Sequence, residues 1–139
     1  MQTLALFCCA LFAGASVYIN IVEHPARMSC GLEAAMNQWA PSYKRATWMQ
    51  APLAIVGSVC AFIAWLIGAN GAWLTGAILL ALVVPFTFVA IMPTNVRLLS
   101  SDMNRRPTEA RLLLQRWNRL HAVRSVLSVA ALATFLVLG

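Results

Sequence analysis

The stretch that decides the fold is Ala46–Val96, ATWMQAPLAIVGSVCAFIAWLIGANGAWLTGAILLALVVPFTFVAIMPTNV, in which 51 consecutive residues carry no charged side chain. About 20 apolar residues cross the hydrocarbon layer of a bilayer, so this stretch has the length of two spans. They are expected at Ala51–Ala69 and Ala72–Met92, with Asn70-Gly71 as the turn between them. Asn-Gly also closes β-hairpins, but the flanking runs are too long and too uniformly apolar for strands. A helical hairpin is the reading. Working outward, a third apolar run covers Leu4–Val22, and a fourth covers Leu120–Leu138 at the end of a longer helix starting near Thr108. The fold class expected is all-α: an integral membrane four-helix up-down bundle, a single membrane domain over residues 1–139, with both termini on the same, outer side.

Composition points the same way. The chain is 61% hydrophobic and 10% charged, where soluble domains carry about 25% charged residues. A water-soluble fold of this size leaves too much surface exposed to hide so many apolar side chains. Disorder is excluded by the hydrophobicity and a coiled coil by the missing charged flanks.

The charged residues fall in two segments, 23–45 and 97–124. In an up-down chain of four spans these lie on one side of the membrane, and the excess of Arg and Lys places that side in the cytoplasm of the cell membrane. The net charge of +6 is what orientation and anionic headgroups require, and no motif for nucleic acid accompanies it. Met1-Gln2-Thr3 lacks the positive start of a secretory signal, so the first span is expected to be retained. A homo-oligomer remains open at this level.

The cysteines, Cys8, Cys9, Cys30 and Cys60, form no C-x-x-C pair. Membrane thiol oxidoreductases need two nearby thiols that exchange electrons, so the thiols read as small apolar packing groups.

Polar residues at span ends carry the functional signal. At about 100° per residue, Ser16, Asn20, Glu23, His24 and Arg27 fall on one face of the first helix. Trp117, His121, Arg124 and Ser128 follow the i, i+4, i+7, i+11 pattern on the fourth. Asn95 ends the third helix behind Pro93, and Tyr43 and Trp48 stand at the start of the second. Each has a plain reading alone: a snorkelling arginine, an interfacial aromatic, an Asn fastening two helices, a Glu23–Arg27 pair on one helix surface. Taken together at one depth, Asn20, Glu23, His24, Asn95, His121 and Arg124 are too costly to be idle. They are expected to line a pocket at the cytoplasmic mouth of the bundle.

Tyr18-Ile19-Asn20-Ile21-Val22-Glu23-His24-Pro25-Ala26-Arg27 ends span one, Ile91-Met92-Pro93-Thr94-Asn95 ends span three, and Trp117-Asn118-Arg119-Leu120-His121-Ala122-Val123-Arg124 opens span four. This order of N-x-x-x-H-P-A, P-x-N and W-x-x-x-H-x-x-R resembles the anthrone oxygenase-like family of small four-span membrane proteins, over essentially the whole chain. The resemblance implies an oxygenase that converts a polycyclic anthrone to an anthraquinone with O₂ and without flavin, haem or a known metal. It implies a site at Asn20, His24, Asn95, Trp117, His121 and Arg124.

The chemistry of these residues fits such a reaction. An imidazole titrates near neutral pH and serves as a general base, which makes His24 and His121 the candidate bases. Arg124 and Asn95 are the candidates to hold an oxyanion. Asn20, Trp117, Glu23, Tyr43 and Trp48 are candidates for contact with an apolar, planar substrate arriving from the lipid. No organic cofactor and no metal are expected, with O₂ as co-substrate. An alternative keeps the pocket but fills it with a metal or haem held by His24 and His121, with Glu23 and Met28 or Met92. A second alternative is non-enzymatic, a transporter or a small subunit packing on a larger partner through Gly57, Ser58, Ala61, Ala64, Gly68 and Gly76. Residues Met28–Tyr43 are expected to form a connector or a short interfacial helix, broken at Gly31 and Pro41.

Overall fold

Four helices, each long and apolar enough to cross a membrane, make up the computed structural model: α1 (Gln2–Ser29), α2 (Leu32–Leu66), α3 (Gly71–Leu98) and α4 (Pro107–Leu138). It describes the backbone of all 139 residues and every side chain except that of Arg105. Among the described residues there is no strand. Each helix packs on the next in sequence, and α4 closes the ring against α1. Leu4, Phe7, Ile55, Val59, Ile78, Leu82, Val126 and other large apolar side chains face outward, where lipid solvates them. The protein is an integral membrane protein.

Asn70 fastens one end of the bundle. Its Oδ1 accepts from the Ala72 backbone N–H at 3.0 Å, capping α3, and its Nδ2 donates to the Leu138 carbonyl at 2.7 Å. The chain's two ends and the 67–70 turn therefore gather together, with Met1 and Gln2 beside Ala64, Ile67 and Ala69. Gly68 makes this turn at φ +104°, a left-handed conformation that favours glycine. The core near this end is apolar, built on Ala5, Cys9, Phe12, Ala61, Leu80 and Phe135. Gly76 lets the Phe135 ring lie against α3, where it stacks on Trp73 at 4.8 Å between centroids. All four cysteines are free thiols, three of them buried.

The second helix corrects the expected boundaries. Leu32–Leu66 is one helix of 35 residues running through Pro41 and Pro52, so the helix that carries the second apolar run begins well before Ala51 and ends before Ala69. Each proline removes one backbone donor, but both lie on the exposed face, away from the buried stripe. The inward stripe continues past them: Ala35, Trp39, Gln50, Ala54, Gly57, Ala61 and Ala64 are all buried. Only the Gly31 break, at φ +93°, occurs as expected. Helix α4 starts one residue earlier than expected, with Pro107 in its first turn and no side-chain cap.

Two π-helical turns shape the charged end. Ile19–Glu23 in α1 and Thr87–Ile91 in α3 each precede a proline, Pro25 and Pro93, by two residues. A proline cannot donate to the carbonyl four residues back and its ring crowds that carbonyl, and a wider turn accommodates both effects. Such turns recur at functional sites. In both helices the second residue after the proline, Arg27 or Asn95, is buried.

Candidate functional site

Between the apolar core near the termini and a second one around Ile19, Trp39, Ile91, Leu114 and Trp117 lies a layer of buried polar side chains. Ser16, Gln50, Asn95, His121, Ser125 and Ser128 are each at least nine-tenths buried. All four helices contribute to one small chamber here. Arg27 comes from α1, Tyr43 and Gln50 from α2, Asn95 from α3, and Trp117, His121 and Arg124 from α4. Its volume is about 20 Å³, enough for one water-sized guest.

Asn20 is the hub of the α1–α4 contact. Its Nδ2 donates to the Asn118 backbone carbonyl at 2.9 Å and to Asn118 Oδ1 at 2.7 Å. A backbone carbonyl only accepts, so the amide orientation is determined. Oδ1 then accepts from Ser125 Oγ at 2.6 Å and stands 2.9 Å from His121 Nδ1. Since that oxygen only accepts, Nδ1 carries a proton, and in the neutral ring Nε2 carries the lone pair. Asn20 thus orients the imidazole from behind and does not itself line the chamber.

Both imidazoles contact Trp117, with ring centroids 5.8 Å away for His24 and 4.9 Å for His121. Both are buried. His24 Nδ1 has no hydrogen-bond partner among the described residues. Arg124 donates to Gln50 Oε1 at 2.9 Å and lies over the Phe12 ring. Asn95 is 1% exposed with neither end of its amide bonded. Tyr43 stacks on Trp39 at 5.2 Å with nearly parallel rings.

Glu23 stands apart from the chamber, on the α2 side of α1. Its Oε1 accepts from Arg27 Nη2 at 2.5 Å, Ser42 Oγ at 2.5 Å and Gln38 Nε2 at 2.8 Å. The π turn fans out a set of residues that uniform helical spacing puts on one stripe: Asn20 goes to α4, Glu23 to α2, and Arg27 inward. Trp48 does not belong to the site. It is 82% exposed, because Tyr43, Ala46 and Gln50 take the inward phase of α2 and leave Trp48 facing outward, as an interfacial aromatic does.

Two residues of the chamber, and two that hold Asn20 behind it, went unremarked as site residues. Arg27 reads in sequence as a helix-surface partner of Glu23, yet its side chain is 3% exposed. Gln50 carried a signal, as a polar residue inside the uncharged 51-residue stretch. Ser125 and Asn118 flank the His121 stripe but give no sign of bridging to α1. Among the described residues, no three His, Cys, Asp or Glu side chains come together in a way that could hold a metal ion.

A family model described as anthrone oxygenase matches residues 39–134. The chain belongs to the anthrone oxygenase family. The matched segment of this anthrone oxygenase family member covers most of α2, all of α3 and most of α4. It therefore holds Tyr43, Gln50, Asn95, Trp117, His121 and Arg124, while Asn20, His24 and Arg27 precede it. No curated protein and no solved structure matches the chain.

A shallow groove of about 490 Å³ runs beside the chamber between α1 and α2, lined by Gly14, Tyr18, Glu23, Arg45 and Met49. Ile19, Ser42 and Ala46 border both the groove and the chamber. These three side chains are the wall between them.

Proposed function

We propose that the protein is a membrane-embedded oxygenase that oxidises an apolar polycyclic phenol of the anthrone type with O₂ and no organic cofactor. The observation that carries this reading is the clamp of Asn20 on His121 beside Arg124 and Asn95. A base of defined tautomer adjoins a cation and an amide donor in a site shielded from water, where oriented donors act most strongly on a developing anion.

In this reading His121 Nε2 takes the benzylic proton, with His24 as the second candidate base. The electron pair left on carbon delocalises onto the ring oxygen, where Arg124 and the Asn95 amide hold the charge. The carbanion gives its electrons to O₂, a C–O bond forms, and protonation yields the hydroperoxide. Loss of water, breaking the O–O bond and the remaining C–H bond, leaves the quinone carbonyl. A chamber of about 20 Å³ suits a single water-sized group such as the substrate's ring oxygen but no tricyclic body. The rings are therefore seated from the lipid, through the wall of Ile19, Ser42 and Ala46. The charged loops are cytoplasmic and both termini external, in the cell membrane.

The test is oxygen uptake and quinone formation with an anthrone in proteoliposomes. His121→Ala is expected to lower the rate by about 10²-fold or more, as loss of a general base does, and His24→Ala to lower it less. Full uptake by correctly inserted His24→Ala and His121→Ala variants alike overturns the mechanism. A stoichiometric metal or a Soret band in protein purified without chelator favours the metal or haem reading instead.

A further inference from the structure

The chamber is lined by two arginines and no carboxylate. Glu23, among the described residues the only acid bonded to either, meets Arg27 on the side away from the chamber, where one oxygen already serves three donors. Among the described residues Arg124 has no carboxylate partner, only the neutral oxygen of Gln50. One guanidinium charge is thus left uncompensated inside the bundle, an arrangement that is unfavourable unless an anion completes it.

The hydrogen-bonding inventory leans the same way. Arg27 Nε and Nη1, Arg124 Nε, Gln50 Nε2, Asn95 Nδ2 and Trp117 Nε1 are buried donors without an acceptor among the described residues. Arg27, Gln50 and Asn95 are each at least 95% buried. Native proteins pair such groups, and the missing partner of a cluster dominated by N–H groups is an oxyanion.

We infer that Arg27 and Arg124 form an anion site that takes the substrate as a preformed organic monoanion, a phenolate or carboxylate carried on a planar aromatic body. This rests on the oxygenase reading of the same chamber. It goes further in making Arg27 a binding residue and in placing the negative charge in the bound ground state, before any proton leaves carbon. Arg27 reaches the chamber because the π turn at Ile19–Glu23 rotates it inward, and the Glu23–Ser42–Gln38 cluster holds its far edge. The phenol proton leaves to water as the anion is bound.

The probe is 1,8-dihydroxyanthraquinone, already fully oxidised, whose neutral form is yellow and whose phenolate is red. It is titrated into protein in phosphatidylcholine nanodiscs about one pH unit below its own ionisation midpoint. Bound dye is expected to show the phenolate band. Arg27→Gln and Arg124→Gln should each lower the ratio of ionised to neutral bound dye by about tenfold, the equivalent of one pKa unit. Arg27→Lys should restore part of it. Glu23→Gln, which frees Arg27 of its own counter-ion, should raise it, so the inference does not hang on variants that remove an arginine. Dye that fails to bind, dye that binds in the neutral form, or variants that leave the band unchanged overturn it. Phosphatidylglycerol in the discs leaves dye ionisation intact if the site takes a substrate anion. If that lipid abolishes it, the site belongs to a headgroup phosphate and the inference falls. The dye cannot be oxygenated, so its colour reports the anion site alone, while oxygen uptake with an anthrone reports catalysis alone.

Discussion

Asn20 of the first helix and His121 of the fourth, 101 residues apart, meet with 2.9 Å between Oδ1 and Nδ1. The amide is itself held by Asn118 and Ser125, so the imidazole is presented in one tautomer. Asn20→Ala is expected to lower kcat by about 10²-fold with a smaller change in KM, the mark of a positioning residue for a general base. Asn20→Asp keeps an acceptor facing Nδ1 and should recover part of the rate with a shifted pH profile. A purely structural contact would show neither the recovery nor the shift.

Helix packing near the termini depends on the absence of a side chain at Gly76. A Cβ there would overlap the Phe135 ring. Gly76→Val is expected to cost about 1–3 kcal/mol through overpacking, read as a lower unfolding midpoint in detergent. Phe135→Leu should relieve much of that cost, so the two changes combined will destabilise less than their sum.

The proposed orientation has a direct chemical readout. Cys30 is exposed, and the other three thiols are buried. A membrane-impermeant maleimide should leave Cys30 unlabelled in intact cells and label it after permeabilisation. Gly71 lies in open space beside the opposite turn, so Gly71→Cys should be labelled in intact cells. The reverse pattern would invert the assigned sidedness.

Asp102, between α3 and α4, is held below the usual carboxylate range, chiefly by the Ser100 hydroxyl at 2.8 Å and further by Arg97 and Arg106. A lowered carboxyl contributes fully above its unfolded value, near pH 4, and the contribution is lost as pH falls through the lower folded value. Amide exchange over residues 99–106, corrected for its intrinsic rate, should stay level from pH 8 to about 5 and rise below about pH 4. Being exposed, the network should shift the whole protein's stability little.

The number of helices and their order were legible because composition and span length decide them. His24, His121, Asn95, Trp117 and Arg124 were legible as polar residues where hydrocarbon makes polarity expensive. The run of α2 through Pro41 was not, since a proline's cost depends on which face it occupies, and that is a tertiary fact. Arg27 was misplaced for a related reason: uniform 100° spacing does not anticipate a π turn, and a neighbouring Glu23 offered an adequate surface partner. Trp48 shows the opposite failure. An aromatic at a span end looks the same in sequence whether it greets a substrate or the lipid.

Each of the paired widened turns holds one residue more than a regular coil needs, just ahead of Pro25 and Pro93. Excising that surplus residue would wind the segment beyond it back by about 100° while leaving the greasy half near the termini untouched. The upper quarter of the bundle thus behaves as a dial mounted on a rigid barrel. Single-codon insertions or losses at these two positions would swap which side chains greet a guest, without dismantling the scaffold that carries them.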